Sequence, residues 1–476
     1  MSDSVKQFAW GWIDENACRL IEISDEIWGY AELGFIEFKS SELLANELER
    51  HGFGVERGVA GIPTAFVGTW GSGRPVIGVM GEFDALFGLS QKVVPWKEPI
   101  EKGAPGHGCG HNIHGTSGLG GALAVRYAME EEGLPGTVRF FGCPAEEMLS
   151  GKVWMVREGV FDGVDACLSH HPSELNTADL MSCNACKAIK FHFHGKTAHA
   201  ASSPEQGRSA LDAIELMNVG VNFLREHVID KARIHYVIEE GGGQPNVVPD
   251  YARSSYYVRA PEMDQLEPIY ERVVKIAEGA ALMTETDMEV EFVKCSYNLI
   301  PNRAMSEAIV ANMREIGAPE YTEEELEFAR KIGETIPRQE KMNILRRFKI
   351  PDWERYIDID IVTDIVDPLF EGEVSAGSTD VGDVSWNAPT VEFNTATWVL
   401  GTPAHSWHAV AQGAMGIGYK SLIFAAKTIA ATALDLMTRS ELLKKAQDEL
   451  RERLKGKTYR SAVPPDAKPL LDHWKR

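Results

Sequence analysis

The chain has 476 residues, 44% of them hydrophobic and 25% charged, and a formal net charge of −22. That length exceeds one ordinary core and predicts two or three domains in a globular chain. No basic stripe offsets the negative charge and no run of about 18 apolar residues occurs, which disfavours nucleic acid and membrane as partners. The first residues, Met1-Ser2-Asp3-Ser4-Val5-Lys6-Gln7, carry no basic segment followed by an apolar one, as a signal peptide would. The seven cysteines are scattered without a disulfide framework. Both features predict a cytoplasmic protein with reduced thiols.

In chain order, residues 76–80 (VIGVM) have the pattern of a buried strand, and 113–129 form a helix rich in small residues. Residues 137–142 and 165–169 are further strands. This alternation predicts an α/β fold with a mostly parallel sheet. Near residue 187 the pattern changes. KAIKFHFH (187–194) alternates polar and apolar residues, as a half-exposed strand does. A helix (209–227), two strands (234–238 and 252–259), a second helix (263–283) and a last strand (288–295) follow. The order β-α-β-β-α-β is that of a ferredoxin-like unit. Residues 321–347 are heavily charged and predict a solvated helical insertion, strand pattern returns at 391–400, and 411–437 reads as an amphipathic core helix. The expected organisation is a catalytic domain (1–186), an inserted ferredoxin-like dimerisation or lid domain (187–302), and the rest of the catalytic domain (303–476).

Candidate ligands cluster after the strand-like segments. Glu82 and Asp84 follow the first, Glu146 and Glu147 the next, His170 and His171 the third, and His405 the fourth. Cys109 and His111 lie in a glycine-rich turn before the small-residue helix. In open α/β sheets, sites form beyond the carboxyl ends of the strands, so these residues converge if the sheet is parallel. Thiolate, imidazole and carboxylate together suit zinc, and the carboxylates also suit manganese. One of two adjacent glutamates can coordinate while the other stays free as a general base. His107, His114 and His408 lie close enough in sequence to be supporting residues.

Several motifs resemble the M20 metallopeptidase family, in particular its amidohydrolase branch, over nearly the whole chain. Glu82-Phe83-Asp84-Ala85-Leu86 resembles Asp-x-Asp-Ala-Leu, with Glu in place of the first Asp. Gly108-Cys109-Gly110-His111-Asn112 resembles Ala-Cys-Gly-His-Asp, and its Asn is similar to the form found in the aminobenzoyl-glutamate hydrolase-like group. Pro144-Ala145-Glu146-Glu147, Gly195-Lys196-Thr197-Ala198-His199-Ala200, Asn246-Val247-Val248-Pro249-Asp250 and His405-Ser406 resemble four further motifs of the branch.

The resemblance implies that Cys109, His111, Glu147, His171 and His405 hold two divalent ions, zinc or manganese. It makes Glu146 the general base. His171 is preferred to His170 because His-Pro suits the strand-end position. His199 would polarise the scissile carbonyl from the other subunit of a homodimer. Asn246 and Arg259 would bind the substrate carboxylate or the oxyanion. The implied reaction is hydrolysis of an amide joining an acyl group, aromatic in some substrates, to an amino acid. The alternatives are a dipeptidase of the same branch, a hydrolase deaminating an aromatic amine, and a non-catalytic, metal-stabilised binding protein.

Overall fold

The computed structural model describes residues 2–348, 350 and 352–474. Three helices open the chain: α1 (Ser2–Glu15), α2 (Ala17–Tyr30) and α3 (Phe38–Arg50). Then come β1 (Gly54–Arg57), β2 (Phe66–Ser72), β3 (Val76–Glu82), α4 (His111–Glu132), β4 (Gly136–Cys143), α5 (Gly151–Arg157), β5 (Ala166–Ser173) and β6 (Thr177–Ala178). The short β7 (Ser182–Cys183) leads into β8 (Ala185–His194), α6 (Ala210–Leu224), β9 (Arg233–Glu240), β10 (Tyr251–Ala260), α7 (Met263–Thr284) and β11 (Asp287–Ser296). The chain continues with α8 (Arg303–Ile316), α9 (Glu323–Glu334), α10 (Arg338–Phe348), β12 (Val374–Ser375), α11 (Val381–Ser385), β13 (Thr390–Ala396), α12 (Trp407–Gln412), α13 (Gly416–Thr438) and α14 (Ser440–Leu454).

One sheet has the order β1-β2-β4-β3-β5-β13-β6, and its centre, β4-β3-β5-β13, is parallel. β3 is buried along nearly its whole length because helices cover both faces, which is why its sequence is a continuous apolar run. α4 lies against it. A Cβ at Gly115 would come within 2.5 Å of the Glu82 carbonyl oxygen, and one at Gly118 within 2.8 Å of that of Met80. The glycines let helix backbone and strand backbone approach that closely, and this fixes His111, at the start of α4, over the end of β3.

The second sheet is antiparallel, with order β11-β8-β10-β9. Along β10 the residues alternate. Ala252, Ser254, Tyr256, Val258 and Ala260 are buried, and Arg253, Ser255, Tyr257 and Arg259 face the other way. α6 and α7 pack on the buried side around Ile214, Met217, Val273 and Ala277. This is the ferredoxin-like arrangement, and its other face is partly covered, with Cys186 and Ala188 buried and Arg259 in contact with Ala376 and Ser378.

Three expectations are corrected. Residues 321–347 are not simply solvated. The Thr322–Glu325 capping box starts α9, and Ala329, Ile332 and Ile336 bury against Ile361, Val399 and Ile417. Leu345 of α10 packs with Leu175, Tyr356 and Leu400. Charged residues on the outer faces hide this inner apolar set. α13 is long and apolar enough to cross a membrane, yet most of its surface is buried against α1, α4 and α8, so it is a core helix covered on nearly all sides rather than an amphipathic one. Finally, β5 runs on to Ser173, so His170 and His171 lie inside the strand and not beyond it.

Candidate metal centre

The parallel strands deliver their residues to one end of the sheet. Cys109 Sγ lies 3.2 Å from His171 Nε2. His405 Nε2 is 3.5 Å from Glu147 Oε2, and His111 Nε2 is 4.0 Å from Glu146 Oε2. Two groups have ligand atoms within 4.8 Å of one another and share one thiol: Cys109-His111-His171 and Cys109-Glu147-His405. A third, Glu82-His111-Glu146, meets the same distance. Glu82, however, is already paired with Lys152, whose Nζ is 2.6 Å from its Oε1.

The adjacent histidines separate by strand alternation. His170 is buried, with Nδ1 2.9 Å from Ser117 Oγ and Nε2 2.7 Å from Thr395 Oγ1, so both its ring nitrogens are engaged. His171 faces the opposite side and points at Cys109.

Hydrogen bonds fix the tautomers. His111 Nδ1 faces only acceptors, the Asp84 carboxylate at 2.9 Å and its carbonyl oxygen at 3.1 Å, so it carries a proton, and Nε2, 3.2 Å from Glu82 Oε2, is the nitrogen left for a bond to an ion. His171 Nδ1 likewise donates to the Pro172 carbonyl at 2.8 Å. The other Asp84 oxygen accepts from the Glu147 backbone N–H at 2.9 Å, so one carboxylate aligns two of the proposed ligands.

The set fits a pair of divalent ions on the chemistry of its own atoms. His111 Nε2 and Glu147 Oε1 are buried without a hydrogen-bond partner. An unpaired lone pair aimed at a thiol and carboxylates is costly unless a cation lies there. Burial raises the Cys109 thiol far above its ordinary value, with Glu147 adding to the effect, and raises Glu147 to about 7. Burial also raises Glu146 well above the carboxylate range, reinforced by Glu82, Asp380 and Glu147. Without a cation these acids favour their protonated forms, and divalent ions would supply the positive charge that lets them ionise together.

The remaining histidines are structural. The His107 and His114 rings are buried, and burial pushes their pKa values down to about 4 and about 3. His107 Nε2 donates to the Ile27 carbonyl, and His114 Nδ1 accepts from the Glu82 N–H. His408 stacks on Trp407 and bonds Thr335. None of the three belongs to a ligand group.

The candidate residues of the ferredoxin-like unit stand apart. His199 is exposed, and its Nδ1 accepts from the N–H groups of Ala201 and Ser202 at 3.2 Å. Its strand bridge to Val247 joins the two loops that carry His199 and Asn246. Arg259 bonds the Ala376 carbonyl oxygen and Ser378 Oγ. Among the described residues, none of these three hydrogen-bonds or pairs with the cluster.

Two buried supports escaped the sequence reading. Glu37 accepts from the Ala145 N–H at 2.8 Å and from Thr64 Oγ1 at 3.0 Å. Ala145 has φ of 57°, strained for a residue with a Cβ, and precedes Glu146. Lys152 is buried between Glu82 and Asp380, with Nζ 2.5 Å from Asp380 Oδ1. Burial would raise Glu82, yet His114, Lys152 and His111 hold it well below its ordinary value. No local motif marks either support, because their partners lie 108 and 228 residues away in the chain.

A family model described as peptidase family M20/M25/M40 matches residues 78–342. The chain is 43% identical over 470 residues to one of the two p-aminobenzoyl-glutamate hydrolase subunits of Escherichia coli (strain K12), covering 96% of this chain and 97% of that one. The chain belongs to peptidase family M20/M25/M40. It is accordingly a metallopeptidase-type hydrolase of amide bonds. A Homo sapiens Xaa-Arg dipeptidase is 28% identical over 473 residues, covering 95% of this chain and 93% of its own. The fold is shared with a Bacillus subtilis protein described as a dinuclear metal binding peptidase of the M20 family, with TM-score 0.57, 19% identity, and 89% and 99% of the two chains covered.

Proposed function

We propose that this hydrolase cleaves the amide between an acyl group, aromatic in the best substrates, and an amino acid, acting in the cytoplasm as a homodimer with two zinc or manganese ions per subunit. One observation carries the reading. Cys109 stands in two ligand groups, one with His111 and His171 and one with Glu147 and His405; Glu146 stands in neither of these two, and the third group that includes it depends on Glu82, which is paired with Lys152. A site that only bound metal would not need a second, uncommitted carboxylate beside it. The relative named for p-aminobenzoyl-glutamate, and the dinuclear metal binding peptidase of the same fold, support the substrate class and the ion count.

Held by Cys109, His111, Glu147, His171 and His405, the ions supply Lewis-acid activation of carbonyl and water. Glu146 takes a proton from the attacking water on its carboxylate and hands it to the leaving amine nitrogen as the C–N bond breaks. Glu37, through the Ala145 N–H, keeps that carboxylate aimed. His199 donates to the developing oxyanion from the other subunit, and Asn246 and Arg259 hold the substrate carboxylate. The human relative named as a dipeptidase favours a second reading, cleavage of dipeptides.

The test is a screen of metal-reconstituted protein against p-aminobenzoyl-glutamate, other N-acyl amino acids and dipeptides ending in arginine, read by product mass. Release of the free amino acid from N-acyl substrates is expected. Preference for dipeptides selects the second reading. Ammonia release from an aromatic amine, or no turnover by the metal-loaded protein, defeats both.

A further inference from the structure

The face of the antiparallel sheet away from its helices carries two cations over one aromatic ring. The Arg259 guanidinium carbon lies 5.7 Å from the centre of the Tyr257 ring, and Lys294 Nζ lies 5.3 Å from the same centre. The sheet builds this group. Tyr257 and Lys294 both pair with Ala188 of β8, from its two sides, and Arg259 sits two residues on from Tyr257, on the same face of β10.

Neither cation has an ion pair among the described residues. Arg259 bonds only neutral oxygens, Ala376 O and Ser378 Oγ, each at 3.3 Å, and its Nε is buried with no partner. In a chain with net charge −22, carboxylates are plentiful, and most other lysines and arginines of this sheet have one. Lys187 pairs with Glu267, while Lys190 and Arg253 pair with Glu239. Two adjacent unpaired cations with a half-satisfied guanidinium are an arrangement left open for an anion. The segment that touches Arg259 also leads to a buried support of the metal centre. Ser378 is two residues before Asp380, whose carboxylate grips the Lys152 N–H and Nζ, and Lys152 in turn holds Glu82. The cationic pair is therefore tied, through Ala376 and Ser378, to the segment that carries Asp380.

We propose that Lys294 is a specificity-determining residue which reads a second carboxylate on the substrate while Arg259 holds the first, so that the preferred leaving group is a dicarboxylic amino acid. The proposal rests on the amide-hydrolase reading above for its substrate and on the sheet geometry for its anion count. A guanidinium fork takes one carboxylate bidentately. An ammonium is a point charge that takes the other at a flexible distance. Tyr257, between them, keeps both cations at the sheet surface through its ring face.

The test compares N-benzoyl-glutamate, N-benzoyl-glutamine and N-benzoyl-alanine on the metal-loaded enzyme and its Lys294→Met and Lys294→Arg variants. Lys294→Met should raise KM for the glutamate substrate about tenfold, leave kcat and the other two substrates within twofold, and be rescued by Lys294→Arg. Calorimetry with glutarate and butyrate, which are not hydrolysed, gives a readout independent of turnover. Glutarate should bind at least tenfold tighter than butyrate, and Lys294→Met should abolish that difference. Equal binding of the two acids, or an equal KM change for glutamate and glutamine substrates, overturns the proposal. Selective glutarate binding without hydrolysis of any benzoyl substrate would retain the anion site and overturn the amide-substrate reading instead.

Discussion

Cys109 belongs to two of the three ligand groups, whereas His405 belongs to one. Removing them should therefore have unequal effects. Cys109→Ala is expected to lose close to both metal equivalents by elemental analysis, and His405→Ala about one. Equal losses would contradict a shared thiolate. Glu146→Gln should keep both ions and lose roughly 10²–10⁴-fold in kcat, the usual contribution of a positioned general base. Asn112, next to His111, has a different role. Its Nδ2 donates to Ser24 Oγ and to the Gly413 carbonyl, both at 3.0 Å, which ties α4 to α2 and to the end of α12. An aspartate there would turn a carboxylate oxygen towards that carbonyl oxygen in a buried site. Asn112→Asp should thus cost about 1–3 kcal/mol in denaturant unfolding while leaving the metal ligands in place.

At the scale of elements, the site is a consequence of four parallel strands ending together. The apolar runs of β3 and β4 are readable because burial on both faces demands them, and the acidic and histidine residues near their ends are readable because they interrupt such runs. Glu37 and Lys152 are not readable, since a lone Glu on the approach to α3 and a lone Lys in α5 have no local signature. Nor is the apolar inner face of α9 visible under its Glu, Lys and Arg residues. These hidden supports carry energy. Lys152→Met would leave Glu82 and Asp380 buried without their shared counterion, and unfolding free energy should fall by about 3–5 kcal/mol. Lys152→Arg should fit poorly in so closed a space and recover only part of the loss. Glu37→Ala should leave metal content unchanged and lower kcat, because it releases Thr64 and the Ala145 turn that aims Glu146 but no ligand atom.

For the whole molecule, the proposed action of His199 in trans ties catalysis to assembly. The ferredoxin-like unit leaves an apolar surface on its helices, with Phe223 of α6 72% exposed and Leu282 of α7 82% exposed, beside Val219 and Met283. β9 is a free edge of the sheet and exposes Val237 and Ile238. Exposed apolar side chains beside an unpaired strand edge invite pairing with a second copy of the same face. The ligand clusters are drawn from the other domain, so separating the subunits should not empty them. A Phe223→Asp, Leu282→Asp double variant should sediment as a monomer, bind its metals normally, and lose turnover to about the level of His199→Ala in the dimer. Mixing inactive Glu146→Gln with inactive His199→Ala protein should restore up to about a quarter of full activity, because one of the two sites in each mixed dimer combines an intact Glu146 with an intact His199 from the other subunit. A monomeric variant with full turnover would place His199 outside the reaction. Mixed dimers without recovered activity would place it in the same subunit as the site it serves.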